Sequence, residues 1–376
     1  MYRNIQTFRG LNSLRFFAAY LVVLHHAEQI RMKYGLFHLK PFSLFNNGGI
    51  AVTFFFVLSG FLITYLLLKE LKQKKDVRVK KFYVRRILRI WPLYFLLVTI
   101  GTALLPFLFQ IVNFQYEMPY HFHQVILYYI FFMPFMVNII FGHNFLDPLW
   151  SIGVEELFYL AWAPLVKFFK RHILTILFSI IIFKILLLFL IQFIDFHIYI
   201  KKIVQMLQFE AMAVGGLSAY IIFHRKKDIS QILFFSKPMQ IILFLFIFLR
   251  LFFHSFLVNH SQIFYFLYDT PIFSELLLIL SFAWLIVNVS LNSRSLLKLK
   301  NKHLNFLGEI SYGIYMYHML TVFAIVFILK NTLNNMNNTL SSIIFYVILT
   351  TGVILISSLS KKYFENRFLR LKEKYY

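Results

Sequence analysis

The sequence contains no cysteine, and charged residues make up only 14% of its 376 positions. Without cysteine there is no disulfide, no thiolate nucleophile and no cysteine-bound metal. Soluble globular domains carry about 25% charged and about 45–50% apolar residues, whereas 60% of this sequence is hydrophobic. The composition therefore argues against a soluble enzyme, a disordered chain and a nucleic-acid-binding domain.

Acidic residues are also scarce, with 15 Asp and Glu against 38 Lys and Arg and a net charge of +23. In a soluble protein this excess would suggest a nucleic-acid partner. Here the basic residues are confined to a few loops between apolar runs, which is typical of a membrane protein, and no nucleic-acid partner is expected.

The apolar runs are long enough to span a membrane, which requires about 20 mostly apolar residues. They fall at 11–28, 48–68, 90–109, 148–166, 173–191, 203–223, 238–253, 271–291, 304–329 and 339–360. We predict an all-α, polytopic membrane helix bundle of about ten transmembrane helices, forming one domain over residues 1–376. The first run contains Arg15 and lacks a small-residue cleavage site, so we expect a retained helix rather than a signal peptide.

The basic residues also predict orientation, because cytoplasmic loops collect Lys and Arg. With ten spans and an inside N-terminus, 29 of the 38 basic residues fall in inside segments and 6 in outside segments. Both termini are then cytoplasmic, in a multi-pass protein of the cytoplasmic membrane. Residues 361–376 form a basic cytoplasmic tail that we expect to lie against anionic lipid.

Residues 121–141 are a further apolar stretch, which Pro134 interrupts. Counting it as a span would place Lys170 and the later basic loops outside. We therefore predict an external re-entrant or interfacial segment, because non-helical backbone at membrane depth is tolerated only against protein or a water-filled cavity.

Arg15 and His26 are costly groups within the first span and are therefore functional candidates. Eleven residues separate them, so they share a helix face about 16 Å apart along the axis, whereas His25 points away from that face. One interpretation is a snorkelling arginine and an interfacial histidine. The functional interpretation is an anion contact near the inner side and a general base near the outer side.

Arg86 and Arg89 share a face at the inner end of the third span, in the motif YVRRILRIWPLY. Anchoring by positive charge explains most of the basic residues in this loop. It explains less well why arginines reach into the apolar run. Guanidinium groups suit phosphate recognition, so these residues predict a phosphorylated cytosolic ligand.

Glu155 and Glu156 lie inside an apolar helix and point about 100° apart, so we expect only one of them to face a given site. Glu155 shares its face with Tyr159, and His26 or an arginine is its expected partner. A structural ion pair is the alternative interpretation.

Two polar motifs favour packing. Ser311, Tyr315 and His318 form one stripe. A separation of about two turns argues against a Ser–His nucleophile and favours interhelical hydrogen bonding. Ser59 and Gly60 predict close approach of another helix.

Together these motifs resemble the acyltransferase 3 family of integral-membrane acyltransferases, over nearly the whole chain. The resemblance rests on Arg15 with His26, FFFVLSGFLIT at 54–64, Arg86 with Arg89, LWSIGVEELFYL at 149–160 and ISYGIYMYH at 310–318. It departs from the family pattern at Leu157, where Gln is frequent, and in FENR, where many members have FExP. Neither departure affects a proposed reacting group.

The resemblance implies ten membrane helices and transfer of an acyl group, often acetyl, from cytosolic acyl-CoA. The implied acceptor is a hydroxyl of a cell-envelope glycan or lipid-linked sugar. His26 and Arg15 would be essential, Arg86 and Arg89 would serve the acyl donor, and Glu155 the acceptor. No metal is expected, and we expect a stand-alone membrane module.

Two other functions remain open on the residues alone. A transporter or flippase of an anionic lipid-linked sugar would use Arg15 and the external histidines to line its route. It would have no reason to bind acyl-CoA. A membrane scaffold would not require four costly ionisable groups. The acceptor, the acyl group and the choice between a covalent acyl-His26 intermediate and direct transfer are not specified by the sequence.

Overall fold

The computed structural model describes residues 2–111 and 119–375, which are almost entirely helical and contain no strand. The helices are α1 (Leu11–Lys33), α2 (Gly48–Lys74), α3 (Val79–Thr99), α4 (Leu105–Ile111), α5 (Phe122–Ile130), α6 (Pro134–Phe141), α7 (Leu149–Phe168), α8 (Ile173–Phe193), α9 (Ile198–Met206), α10 (Phe209–His224), α11 (Lys237–Phe252), α12 (His254–His260), α13 (Gln262–Asp269), α14 (Phe273–Leu291), α15 (Lys302–Glu309), α16 (Ser311–Asn334), α17 (Asn338–Ser360) and α18 (Asn366–Glu373). Short π-helical turns, Ile100–Leu104 and Lys361–Glu365, join α3 to α4 and α17 to α18.

Eight helical stretches in the described residues are long and apolar enough to cross a membrane, and α11 with α12, bent by 94°, adds a ninth if the pair is one span. Helix α1, with 23 residues, is about 34 Å long, but its buried or half-buried polar residues lower its hydropathy. Ten spans would require counting both α1 and the bent pair among the described helices. The predicted all-α polytopic membrane bundle is confirmed.

The segments predicted to lie inside meet at one end of the bundle, here called the basic end. Lys69 donates to the Ile5 carbonyl at 3.0 Å, and Arg85 donates to the Tyr375 carbonyl at 2.9 Å. The N-terminal segment, the loop before α3 and the C-terminal tail therefore lie together. Because inside loops collect Lys and Arg, we expect the basic end to face the cytoplasm.

Two helices differ in extent from the apolar runs that predicted them. Helix α3 begins at Val79 rather than near residue 90, because Lys and Arg are good helix formers and extend the helix beyond its apolar part. The run at 304–329 is divided at Ile310 into α15 and α16. Helix α15 packs closely on α1: a Cβ on Gly308 would lie 2.0 Å from the Asn12 carbonyl oxygen.

The centre of the bundle is the contact between α2 and α10. A Cβ on Gly60 would lie 1.9 Å from the Met212 carbonyl oxygen, and one on Gly215 would lie 2.0 Å from the Val57 carbonyl oxygen. Two helix backbones therefore touch through glycines on both sides, as small residues permit in membranes. The close approach expected at Gly60 is present.

The 121–141 segment forms two short helices, α5 and α6, of 9 and 8 residues. Neither is long enough to span a bilayer. Between them Phe132 adopts a positive φ of 56°, and its ring stacks on Tyr94 of α3 at 4.5 Å. Its carbonyl lies close against Gly153 of α7. The segment is thus held against α3 and α7, and its depth in the membrane stays a prediction.

Candidate functional site

Helix α1 places Arg15 towards the basic end and His26 eleven residues further along, in one uninterrupted helix. Both side chains are surrounded by protein yet keep part of their surface accessible. Helix α1 therefore carries a half-buried arginine and a half-buried histidine at two levels of the bundle.

A cluster of basic residues surrounds Arg15. Arg86 and Arg89 from α3, and Glu155 from α7, lie within electrostatic range of the Arg15 guanidinium. In the described part of the chain, neither Arg15 nor Arg89 has a carboxylate within 4 Å. Positive charge is thus in excess here, inside the bundle and close to the basic end. We call Arg15, Arg86 and Arg89 the arginine cluster.

Glu155 is fixed by two hydroxyl groups. Ser59 donates to its Oε1 at 2.8 Å and Tyr159 to its Oε2 at 2.9 Å. Ser59, expected to serve packing alone, therefore also binds the carboxylate. Glu156 points elsewhere and accepts a hydrogen bond from the Trp91 indole at 3.1 Å. The two carboxylates have different neighbours, as their 100° separation predicts.

The sequence predicts His26 or an arginine as the partner of Glu155. In the structure its carboxylate accepts bonds from Ser59 and Tyr159, with Arg15 and Arg86 within electrostatic range. That Glu155 orients or charge-balances His26 stays a prediction. The hydrogen-bond partner of His26 is His318 of α16, at 2.9 Å between His26 Nδ1 and His318 Nε2.

His318 is fully buried and is held in turn by its own helix. Its Nδ1 lies 2.6 Å from the Tyr315 carbonyl oxygen. The Tyr315 hydroxyl bonds Ser151 at 2.8 Å and the Pro148 carbonyl at 2.9 Å, which ties α16 to the start of α7. The polar stripe on α16 signalled interhelical bonds, which are present, but the sequence could not indicate that His26 is the partner.

His25 has a different environment. Its Nδ1 lies 3.2 Å from the Phe45 carbonyl oxygen in the loop between α1 and α2. Two adjacent positions of α1 thus face different neighbours, as the helical geometry predicts: His26 contacts α16 and His25 contacts the loop.

The loop between α6 and α7 carries a further histidine at the end opposite the basic end. His143 Nδ1 lies 2.5 Å from Asp147 Oδ2. This hydrogen bond and the negative charge of Asp147 raise the pKa of the His143 imidazole. His143 is also within electrostatic range of His25 and His26, so the loop lies near the outer opening.

The C-terminal segment packs on the bundle, which the sequence did not indicate. Lys361 and Glu365, in the π-helical turn after α17, are within electrostatic range of Arg89. The Tyr317 hydroxyl donates to Ser360 at 3.0 Å, just before this turn. Part of the predicted tail therefore borders the arginine cluster.

Among the described residues, no three His, Asp or Glu side chains are arranged to hold a metal ion. The candidate site consists of the arginine cluster, the half-buried carboxylate of Glu155 and the pair of His26 and His318.

The described residues thus form an all-α polytopic membrane bundle with cationic and imidazole side chains among its helices. Residues 8–360 match the family model described as "Acyltransferase domain", and the chain belongs to this family, the acyltransferase 3 family. The resemblance inferred from the motifs is confirmed. No solved structure is a significant match to the chain.

Two curated relatives indicate the chemistry of similar proteins. The chain is 27% identical over 327 residues to the O-acetyltransferase OatA of Staphylococcus aureus, covering 82% of this chain and 49% of that protein. It is 29% identical over 154 residues to the peptidoglycan O-acetyltransferase OatA of Listeria monocytogenes, covering 36% of this chain and 22% of that protein. The chain spans about half the length of the first relative.

Proposed function

We propose that this membrane acyltransferase is an O-acetyltransferase of a cell-wall glycan, with cytosolic acetyl-CoA as donor, in the cytoplasmic membrane. The observation that carries the proposal is the arrangement along α1: an arginine cluster near the basic end and an accessible imidazole eleven residues away. The names of the relatives support acetyl as the group and peptidoglycan as the first acceptor to test.

The arginine cluster would bind the phosphates of the donor. Guanidinium groups bind phosphate through paired, charge-assisted hydrogen bonds. Within residues 2–111 and 119–375, no carboxylate lies within 4 Å of Arg15 or Arg89 to compete for them. Glu155, fixed by Ser59 and Tyr159, would balance part of this charge and border the acceptor.

The pantetheine arm of the donor would bridge the two levels. By extended-chain dimensions it is about 15–20 Å long, comparable with the axial separation of about 16 Å between Arg15 and His26. The thioester could therefore reach His26 while the phosphates stay at the arginine cluster. Free acetate would not need to cross the membrane.

His26 would act as the general base. It takes the proton of the acceptor hydroxyl while the hydroxyl oxygen attacks the thioester carbonyl. The C–S bond then breaks, and the CoA sulfur recovers the proton from His26. A covalent acyl-His26 intermediate would give the same products in two steps.

The test is release of CoA by the purified protein in nanodiscs, given acetyl-CoA with and without peptidoglycan or a membrane glycan extract. Release should rise with the acceptor. The His26→Gln variant should lose about 10²- to 10⁴-fold in rate, the usual contribution of a general base. The His25→Gln variant is the matched control, because the His25 ring bonds the Phe45 carbonyl, whereas the His26 ring bonds His318.

The donor side has its own test. Arg89→Gln should raise the KM for acetyl-CoA about 10- to 100-fold, the loss of one or two charge-assisted bonds. Arg171→Gln, an exposed arginine at the same end, should leave it unchanged. A folded wild-type protein that neither binds acetyl-CoA nor releases CoA would refute the proposal and favour transport of an anionic lipid-linked sugar.

A further inference from the structure

Three groups form a chain of hydrogen bonds across α16 and α1: the Tyr315 carbonyl, the His318 ring and the His26 ring. The first contact is 2.6 Å and the second 2.9 Å. Each imidazole nitrogen can either donate or accept, depending on which one carries the proton. The Tyr315 carbonyl has no such freedom, because it can only accept.

This fixed acceptor determines the proton positions along the chain. His318 Nδ1 must carry the proton that it donates to the Tyr315 carbonyl. A neutral imidazole has a single N–H, so His318 Nε2 is an acceptor. The N–H in the second bond must therefore come from His26 Nδ1, which leaves the lone pair of His26 on Nε2.

These proton positions require a neutral His318, and the surroundings of His318 favour that form. The side chain is fully buried. Within the described residues, neither His318 nor His26 forms an ion pair with a carboxylate. A charged imidazole without a counter-ion in such a site would be costly.

We propose that His318 is a positioning residue that fixes His26 in the Nδ1–H tautomer, so that Nε2 is the atom that takes the acceptor proton. This inference rests on the proposed function. When His26 accepts the proton on Nε2, Nδ1 still carries its hydrogen and the bond to His318 persists. The same contact therefore serves both protonation states of His26 without any rearrangement. When His26 is protonated, its hydrogen bond to His318 is charge-assisted.

The tautomer can be tested without any activity. In ¹⁵N-histidine-labelled protein, nitrogen NMR distinguishes protonated from unprotonated ring nitrogens, and the His26 signals are identified by their absence from His26→Gln protein. The wild type should show His26 protonated at Nδ1 and bare at Nε2. Protonation at Nε2 with a bare Nδ1 would overturn the assignment.

Two substitutions separate positioning from packing. His318→Leu removes the acceptor, and it should lower kcat for CoA release about 10²-fold with the KM for acetyl-CoA unchanged. His318→Gln places an amide oxygen near the former Nε2 position, and it should recover to within about tenfold of the wild type. The NMR spectrum of the Leu variant should show His26 no longer confined to the Nδ1–H form.

Full turnover in a folded His318→Leu protein would refute the positioning role. Equal losses in the Leu and Gln variants would also refute it, because a lost acceptor should be restored by the amide. A wild-type protein that releases no CoA would refute the proposed function, whereas the NMR measurement would still decide the tautomer.

Discussion

Replacing Glu28 by Gln should destabilise the protein by breaking a buried ion pair beyond His26 on α1. Glu28 Oε1 accepts from Arg31 Nη1 at 2.7 Å and from the Tyr346 hydroxyl, and Oε2 accepts from the Leu39 backbone N–H. The side chains of Glu28 and Arg31 are 0% and 1% exposed. One carboxylate thus joins α1, the loop after it and α17.

The magnitude follows from what remains around Arg31. Breaking a buried pair by removing one partner costs about 3–5 kcal/mol, because a charge is left uncompensated. Arg31 keeps a hydrogen bond to Ser342 at 2.8 Å and its position 4.9 Å from the centre of the Phe345 ring. These contacts place the expected loss in the free energy of unfolding at the lower end, about 3 kcal/mol.

The assay is reversible unfolding in mixed detergent micelles for Glu28→Gln, Arg31→Met and the double variant. The double variant leaves no unpaired charge. Its loss in the free energy of unfolding should therefore be smaller, by at least about 1 kcal/mol, than the sum of the losses in the two single variants. A loss below about 1 kcal/mol in Glu28→Gln, or additive costs, would show that the pair contributes little and would refute the reasoning.

Two further predictions concern packing and pH. Gly60→Ala should lower the free energy of unfolding by about 1–3 kcal/mol, because its Cβ would collide with the Met212 carbonyl oxygen. Gly49→Ala has open space around its Cβ and should change the free energy of unfolding little in the same assay. The hydrogen bond to Asp147 and its charge raise the pKa of His143. The contact therefore contributes its full stabilisation below a pH of about 6.5, the ordinary histidine pKa. This stabilisation is lost as the pH rises through the raised pKa. The histidine side chain is largely exposed, which limits the effect to below about 1 kcal/mol. An NMR titration should show a lower His143 pKa in Asp147→Asn protein, and an unchanged value would contradict the assignment.

The helical spans were predictable because each depends on residues that are contiguous in the sequence. Apolar length predicted the all-α membrane bundle, in which eight or nine described stretches pass as spans, and helical periodicity separated the environments of His25 and His26. Hydropathy did not predict the helix limits at Val79 and Ile310, which depend on helix propensity and on packing of α15 against α1. The sequence therefore predicted which helices form more accurately than where each helix begins and ends.

The partners across helices were not predictable. His26 and His318 are 292 positions apart, and no spacing rule connects two helices that only the fold brings together. The same limit applies to Glu155, for which the sequence predicts His26 or an arginine as partner but not the bonds from Ser59 and Tyr159. The ionisable residues stand out in the sequence because such groups are costly in a membrane, but the sequence does not show which of them touch.

A neutral histidine behind His26 suits a membrane better than the carboxylate that orients histidine in many soluble hydrolases. A carboxylate there would be a second buried charge, unpaired whenever His26 is neutral. His318 supplies an acceptor without a charge, and the Tyr315 carbonyl fixes its proton with backbone that the helix already provides. The three arginines of the arginine cluster lie at the other level of α1, where in the proposed function an anionic ligand would compensate them. On that proposal the bundle would separate the binding of charge from the transfer of the proton, and α1 would carry a residue for each.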